Sequence, residues 1–262
     1  MDNFLVHKNT KIRYRDTGKG GVIVLLHGFL ENLEMWDYFS SKLSLANRIV
    51  SIDLLGHGQT ESVGYVHTME NMAEYVKAVL DHLRLKKYVI VGHSMGGYVA
   101  LALAENYVDN IKGLCLFHSS SLSDSEEKKL NRDRAISLVK ENHKSFIRTA
   151  IPMLFRPKNR KIFSEELKIT KEQGLATSKQ GVIAALEGMK IREDREVLLH
   201  FTPFPKLMIV GRYDSALGYD KLINQTKNAA NMEIAEFPIG HMGHIEAREA
   251  TLKSLKQFLR KV

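Results

Sequence analysis

Three polar residues stand where a nucleophile, an acid and a base could work together. Ser94 lies within Gly92-His93-Ser94-Met95-Gly96, a G-x-S-x-G spacing. Glycines on both sides let a turn tighten until the serine oxygen stands clear of the backbone. A serine hydroxyl is almost wholly protonated at neutral pH, so it needs a base within hydrogen-bond reach and an anion to orient that base. Asp214, in Gly211-Arg212-Tyr213-Asp214, and His241, in Pro238-Ile239-Gly240-His241-Met242-Gly243-His244, follow strand-like runs and fit those roles. His244 competes with His241 as the base, and Asp220 and Asp124 compete with Asp214 as the acid. The chemistry these residue types could perform is acyl transfer through a serine.

Each of the three has to be presented by a rigid element. Tyr88 to Val91 is an unbroken apolar run that leads through the serine motif into Gly97, Ala100, Ala102 and Ala104, the small residues of a helix packed closely on a sheet. Val22 to Leu26, Arg48 to Ile52, Ile111 to Phe117, Lys206 to Gly211 and Met232 to Phe237 read as further strands, and Phe4 to His7 with Lys11 to Asp16 as an edge hairpin. Helices are predicted for Glu34 to Leu43, from a Thr68 N-cap to Leu83, for Tyr219 to Ala229 and for Ala247 to Lys261. This alternation predicts an α/β fold class, a mainly parallel eight-stranded sheet with helices on both faces and ligands at the carboxyl ends of the strands. Between Ser123 and Leu199 helical periodicity replaces strands, with breakers at Pro152 and Pro157. The expected organisation is a core of residues 1–121 and 203–262 with a helical cap, residues 122–202, inserted after the sixth strand.

Composition narrows the class further. With 262 residues, 44% hydrophobic and 26% charged, the chain has the makings of a soluble globule. The single cysteine, Cys115, sits in an apolar run and excludes an internal disulfide. The opening residues lack a basic start and a long apolar stretch, and no run approaches membrane-spanning length, so a cytoplasmic protein is expected. The net charge of +8 is concentrated: residues 128–161 hold eleven Lys and Arg against two acidic residues. That window is read either as a solvated helical face or as a docking surface for an anionic partner or substrate. Nucleic acid is not expected there, because aromatics are few and no nucleic-acid-binding motif is present. The eleven histidines include no His-x-x-x-His pair with an acidic helper, so neither a metal nor another cofactor is called for.

Taken together, His27-Gly28-Phe29, Asp53-Leu54-Leu55-Gly56-His57-Gly58, the Ser94 motif, Gly211-Arg212-Tyr213-Asp214 and Gly240-His241-Met242 resemble the α/β-hydrolase fold superfamily. The similarity is to its small, cap-bearing carboxylesterases, lactonases and carbon–carbon bond hydrolases. The resemblance implies Ser94 as nucleophile, His241, directly after glycine, as base and Asp214 as acid. It implies an oxyanion hole made of the Phe29 and Met95 backbone N–H groups. A serine at this position excludes the dehalogenase and epoxide-hydrolase members, which need a carboxylate nucleophile. The expected activity is hydrolysis of a small or medium-chain carboxylic ester or lactone. Carbon–carbon cleavage, lyase or perhydrolase chemistry on the same triad is the alternative, and a small-molecule receptor on a hydrolase scaffold a further one. An acyl carrier protein is the kind of anionic partner the basic window would suit. His118, His27, Phe146 and Phe155 are the candidates for pocket lining.

Overall fold

The computed structural model describes residues 1–227 and 229–262. Its sheet has eight strands, β1 (Asp2–His7), β2 (Thr10–Gly18), β3 (Gly21–Leu26), β4 (Asn47–Ile52), β5 (Tyr88–His93), β6 (Ile111–Phe117), β7 (Lys206–Gly211) and β8 (Met232–Phe237). They lie in the order β1-β2-β4-β3-β5-β6-β7-β8. β1 and β2 form the expected hairpin, and β2 joins β4 antiparallel; every later pairing is parallel. Lys8 and Asn9 turn the hairpin with φ of 47° and 59°, the two left-handed residues that match a turn to the twist of its strands.

The central strands are apolar on both faces because both are covered. Val24, Leu26, Ile90 and Leu116 point into one layer, with α2 (Met69–His82) and α3 (Met95–Asn106). Ile23, Leu25, Val91 and Cys115 alternate with them into the other, against α1 (Asp37–Leu43) and α10 (Arg248–Leu259). Thr68 caps α2 by accepting from the Asn71 amide at 3.1 Å. Cys115 is fully buried, which pushes its thiol pKa up.

Between β6 and β7 the chain forms α4 (Glu126–Leu154), α5 (Ser164–Ala176), α6 (Lys179–Lys190) and α7 (Glu196–Phe201), with no strand. The expected break at Pro152 is corrected. Pro152 is carried inside the last turn of α4, and the helix breaks instead at Asn142, with φ −147° and ψ 84°. The Asn142 side chain accepts from the Ser145 amide at 2.9 Å and so caps the second half, a local bond that competes with helix continuation. Pro157 does start a new element, the 3-10 turn Pro157–Asn159. After β7 come α8 (Tyr219–Thr226) and, beyond β8, the single-turn α9 (Gly243–Glu246). Among the described residues no helix is long and apolar enough to cross a membrane.

Candidate active site

β5 delivers Ser94 into a backbone conformation of φ 48° and ψ −115°, far from where a serine rests unstrained. The reason is packing. A side chain at Gly92 would run into the backbone of Gly96, and one at Gly96 into the carbonyls of Leu26 and His27. The turn is pinned by the Ser94 amide, which donates to the Phe117 carbonyl at 2.9 Å, and by the Ser119 hydroxyl, which donates to the Ser94 carbonyl at 2.7 Å.

Asp214 follows β7 and is buried. Its Oδ1 accepts the amides of Ala216 (2.8 Å) and Leu217 (3.3 Å), which fixes the carboxylate plane. Its Oδ2 accepts from His241 Nδ1 at 2.7 Å and lies 3.3 Å from His118 Nδ1. Burial alone would raise the Asp214 pKa, but the two imidazoles outweigh it and hold the carboxyl well below the usual range. With Nδ1 of His241 committed to Asp214, Nε2 is the nitrogen left to take a proton. Ser94 and His241 line the same cavity, of about 430 Å³. Ser94 Oγ makes no hydrogen bond to a described residue; such bonds are often long in an empty site and tighten around substrate.

The two amides that the resemblance implies for an oxyanion are those of Met95 and Phe29. Met95 opens α3, where the first N–H groups have no acceptor within the helix, and Phe29 lies in the loop after β3. Among the described residues neither amide has a protein acceptor. The Met95 side chain is fully buried and the half-buried Phe29 lines the cavity, so Met95 has its backbone rather than its side chain to offer.

The competitors are occupied elsewhere. Asp124 is an ion-pair partner of Arg132 and of Arg192, the latter at 2.6 Å. Asp220 is exposed in the first turn of α8. His244 is buried, its pKa pushed down to about 3, and does not line the Ser94 cavity.

All four pocket candidates are corrected. His118 is buried behind the site against Asp214, neutral with a pKa driven down to about 4 by burial. His27 is also buried and organises a loop, accepting the Leu54 amide on Nε2 at 2.9 Å. Phe155 is buried in the core and Phe146 packs against it, because the helices between β6 and β7 turn those faces inward. The apolar wall is instead made by Tyr98, Leu154, Leu186, Met189 and Leu217.

A second buried pair lies beside the site. Glu31 Oε2 accepts from the Gly28 amide and from His93 Nδ1, both at 2.7 Å. His93 Nε2 donates to the His241 carbonyl at 3.1 Å. Both ring nitrogens face acceptors, so His93 is an imidazolium, held there by Glu31 against the cost of burial. The pair ties the Phe29 loop to the backbone of His241. The Glu31/His93/His244 and His118/Asp214/His241 groups each bring ligand-type atoms within 4.8 Å, as a metal site would. In the first, however, His93 has no lone pair to offer.

Glu31→Leu is expected to cost about 3–5 kcal/mol, since it strands a buried cation. That is a Tm lower by roughly 10 °C in a chain of this size, read by calorimetry. The pH dependence has two sides. Glu31 is held below its ordinary 4.5, so its stabilisation exists above that value and is lost on acidification. His93 is held above its ordinary 6.5, so its stabilisation is full below that value and is lost as pH rises through the folded-state pKa. The Tm gap between wild type and Glu31→Leu should therefore be widest between these limits.

Comparison with known proteins agrees with this architecture. The model of the α/β-hydrolase fold matches residues 21–146. A thermophilic esterase from Thermogutta terrifontis superposes with a TM-score of 0.93 at 30% identity, covering 100% of this chain and 98% of that one. The enol-lactonase from Burkholderia xenovorans LB400 superposes with a TM-score of 0.91 at 23% identity over 98% and 100% of the two chains, a likeness of fold. The dihydrolipoyllysine-residue acetyltransferase component of the acetoin cleaving system of Pseudomonas putida is 27% identical over 93% of this chain, which spans 65% of that longer protein. With the eight-stranded sheet, the serine at the turn after β5 and these relatives, the chain belongs to the α/β-hydrolase fold family and is an α/β-hydrolase enzyme.

Proposed function

We propose that this protein is a serine hydrolase that cleaves a small or medium-chain carboxylic ester or lactone through an acyl-enzyme on Ser94. The observation that carries this reading is the buried Asp214–His241 hydrogen bond of 2.7 Å beside a cavity that Ser94 shares. His241 takes the Ser94 proton as the oxygen attacks the carbonyl. The Phe29 and Met95 amides receive the developing oxyanion, and such preorganised donors are worth about 2.7–4 kcal/mol each. His241 then protonates the leaving alcohol and, in the second half, activates water to release the acid. Asp214 holds the Nδ1–H tautomer and stabilises the imidazolium. A cavity of about 430 Å³ with a largely apolar wall suits a short acyl chain. The esterase from Thermogutta terrifontis and the enol-lactonase from Burkholderia xenovorans, both similar in fold, support carbonyl hydrolysis as the class.

The test is covalent. A fluorophosphonate is expected to add to Ser94, identified by peptide mass, and to block turnover of short 4-nitrophenyl esters. Absence of the adduct, or an adduct on another residue with activity lost, would overturn the assignment.

A further inference from the structure

The cavity that holds Ser94 continues into a second one, of about 390 Å³, and the two share Ser125, Lys128, Leu217 and Lys221. Two lysines, one from the first turn of α4 and one from α8, thus stand at the junction. Neither ammonium lies within 4 Å of a carboxylate among the described residues, although Glu127 and Glu196 also border the cavities. Lys128 is half-buried, and its pKa is lowered first by desolvation and then by Arg192, Arg132 and Lys221.

The other charges nearby are already committed. Asp124, the carboxylate that raises the Lys128 pKa, is shared between Arg132 and Arg192. Arg192 also donates to the Met189 and Leu122 carbonyls at 3.0 and 2.8 Å and lies over the Tyr98 ring. Four cations therefore gather near Asp124, and Lys128 and Lys221, which make no ion pair among the described residues, are the two that border both cavities. Lys221 is exposed, so the cost of unneutralised charge beside the cavity wall falls on the half-buried Lys128. Lys128 and Lys221 differ from other cations that have no carboxylate partner among the described residues, such as Lys140 and Lys144, in bordering both cavities.

We propose that Lys128 and Lys221 form a subsite for a carboxylate carried by the substrate, so that the ester or lactone opened at Ser94 is an anionic one. This rests on the serine-hydrolase reading and names its substrate class. Two ammoniums match the two oxygens of a carboxylate, while Arg192 is committed to Asp124 and two backbone carbonyls and Arg132 is anchored to Asp124 through Nε. The reacting carbonyl would sit at Ser94 with its chain along Tyr98, Met189 and Leu217, and the carboxylate at the junction.

The experiment compares mono-4-nitrophenyl glutarate with the neutral 4-nitrophenyl pentanoate in wild type, Lys128→Met, Lys221→Met and the double variant. Methionine keeps the aliphatic stem, so packing is preserved. Each single change is expected to lower kcat/KM for the glutarate ester about 10-fold and the pair about 100-fold, with the pentanoate ester within twofold. Equal changes for both esters, or none for the glutarate ester, would overturn the subsite while leaving the hydrolase reading intact. A binding arm is independent of turnover: glutarate should raise the Tm of wild type and not of the double variant. If neither ester is cleaved, the hydrolase reading fails and this arm alone decides the subsite. A Tm rise retained in the double variant, no rise at all, or a larger rise with inorganic phosphate than with glutarate would overturn it.

Discussion

Ser94→Gly is expected to abolish turnover and at the same time to stabilise the fold. The activity side follows from the proposed nucleophile, whose removal from a serine hydrolase costs about 10⁶-fold in kcat. The stability side follows from the backbone. Ser94 is held at φ 48° and ψ −115°, which costs a residue with a side chain about 1–3 kcal/mol and costs glycine almost nothing. Against this, glycine has about 0.5–1 kcal/mol more chain entropy to lose on folding. A net gain on the order of 1 kcal/mol remains, a rise in Tm of about 2–4 °C for a chain of this size. Ser94→Ala separates the two effects, because it removes the oxygen and keeps the strain. Both variants should be equally inert towards 4-nitrophenyl esters, and only the glycine variant should melt higher. Equal melting temperatures would show that the turn relaxes in solution and stores no strain.

What could be read from the sequence was what the chain specifies locally or by period. The turn at Ser94 is one such case: glycine at 92 and 96 is required by contacts that the next few residues and the neighbouring strand impose. The buried parallel strands are another, since a run apolar on both faces has few other solutions. Asp214 and His241 could be placed because each follows such a strand. The unread parts depend on distant partners. Glu31 carries no local signal, and only the approach of His93, 62 residues later, makes it half of a buried ion pair. The helices between β6 and β7 show the same limit. Phe146 and Phe155 satisfy helical periodicity equally well facing the cavity or the core, and the packing of α4 on α5 and α6 decides for the core. The basic window was visible as charge, but which of its cations is held by the buried Asp124, Arg132, depends on the fold.

Asp214→Asn is the second large effect expected, a fall in kcat of about 10⁴-fold at neutral pH. The argument turns on the two amides that hold Oδ1. Ala216 and Leu217 both donate to that oxygen, so an asparagine here keeps its carbonyl oxygen on them and swings its NH2 towards His241 and His118. His241 Nδ1 then faces a donor and must become the acceptor. The ring adopts the Nε2–H tautomer, and the nitrogen nearest Ser94 in the proposed mechanism can no longer take its proton. His118 touches the same Asp214 oxygen more loosely, at 3.3 Å against 2.7 Å, and is not part of the cavity wall. His118→Gln should therefore cost less than 10-fold, and Asp124→Asn, whose carboxylate serves Arg132 and Arg192, should spare chemistry on a neutral ester. Stability carries its own signature. The Asp214 pKa is depressed below its ordinary 3.8, so its contribution is present above that pH and disappears as pH falls through the folded-state value. The wild type's advantage in Tm over Asp214→Asn should shrink on acidification in step with that protonation. Imidazole nitrogen NMR shifts of His241 report the tautomer directly. A variant that keeps the Nδ1–H form, or keeps more than a tenth of wild-type kcat, would remove Asp214 from the role of orienting acid.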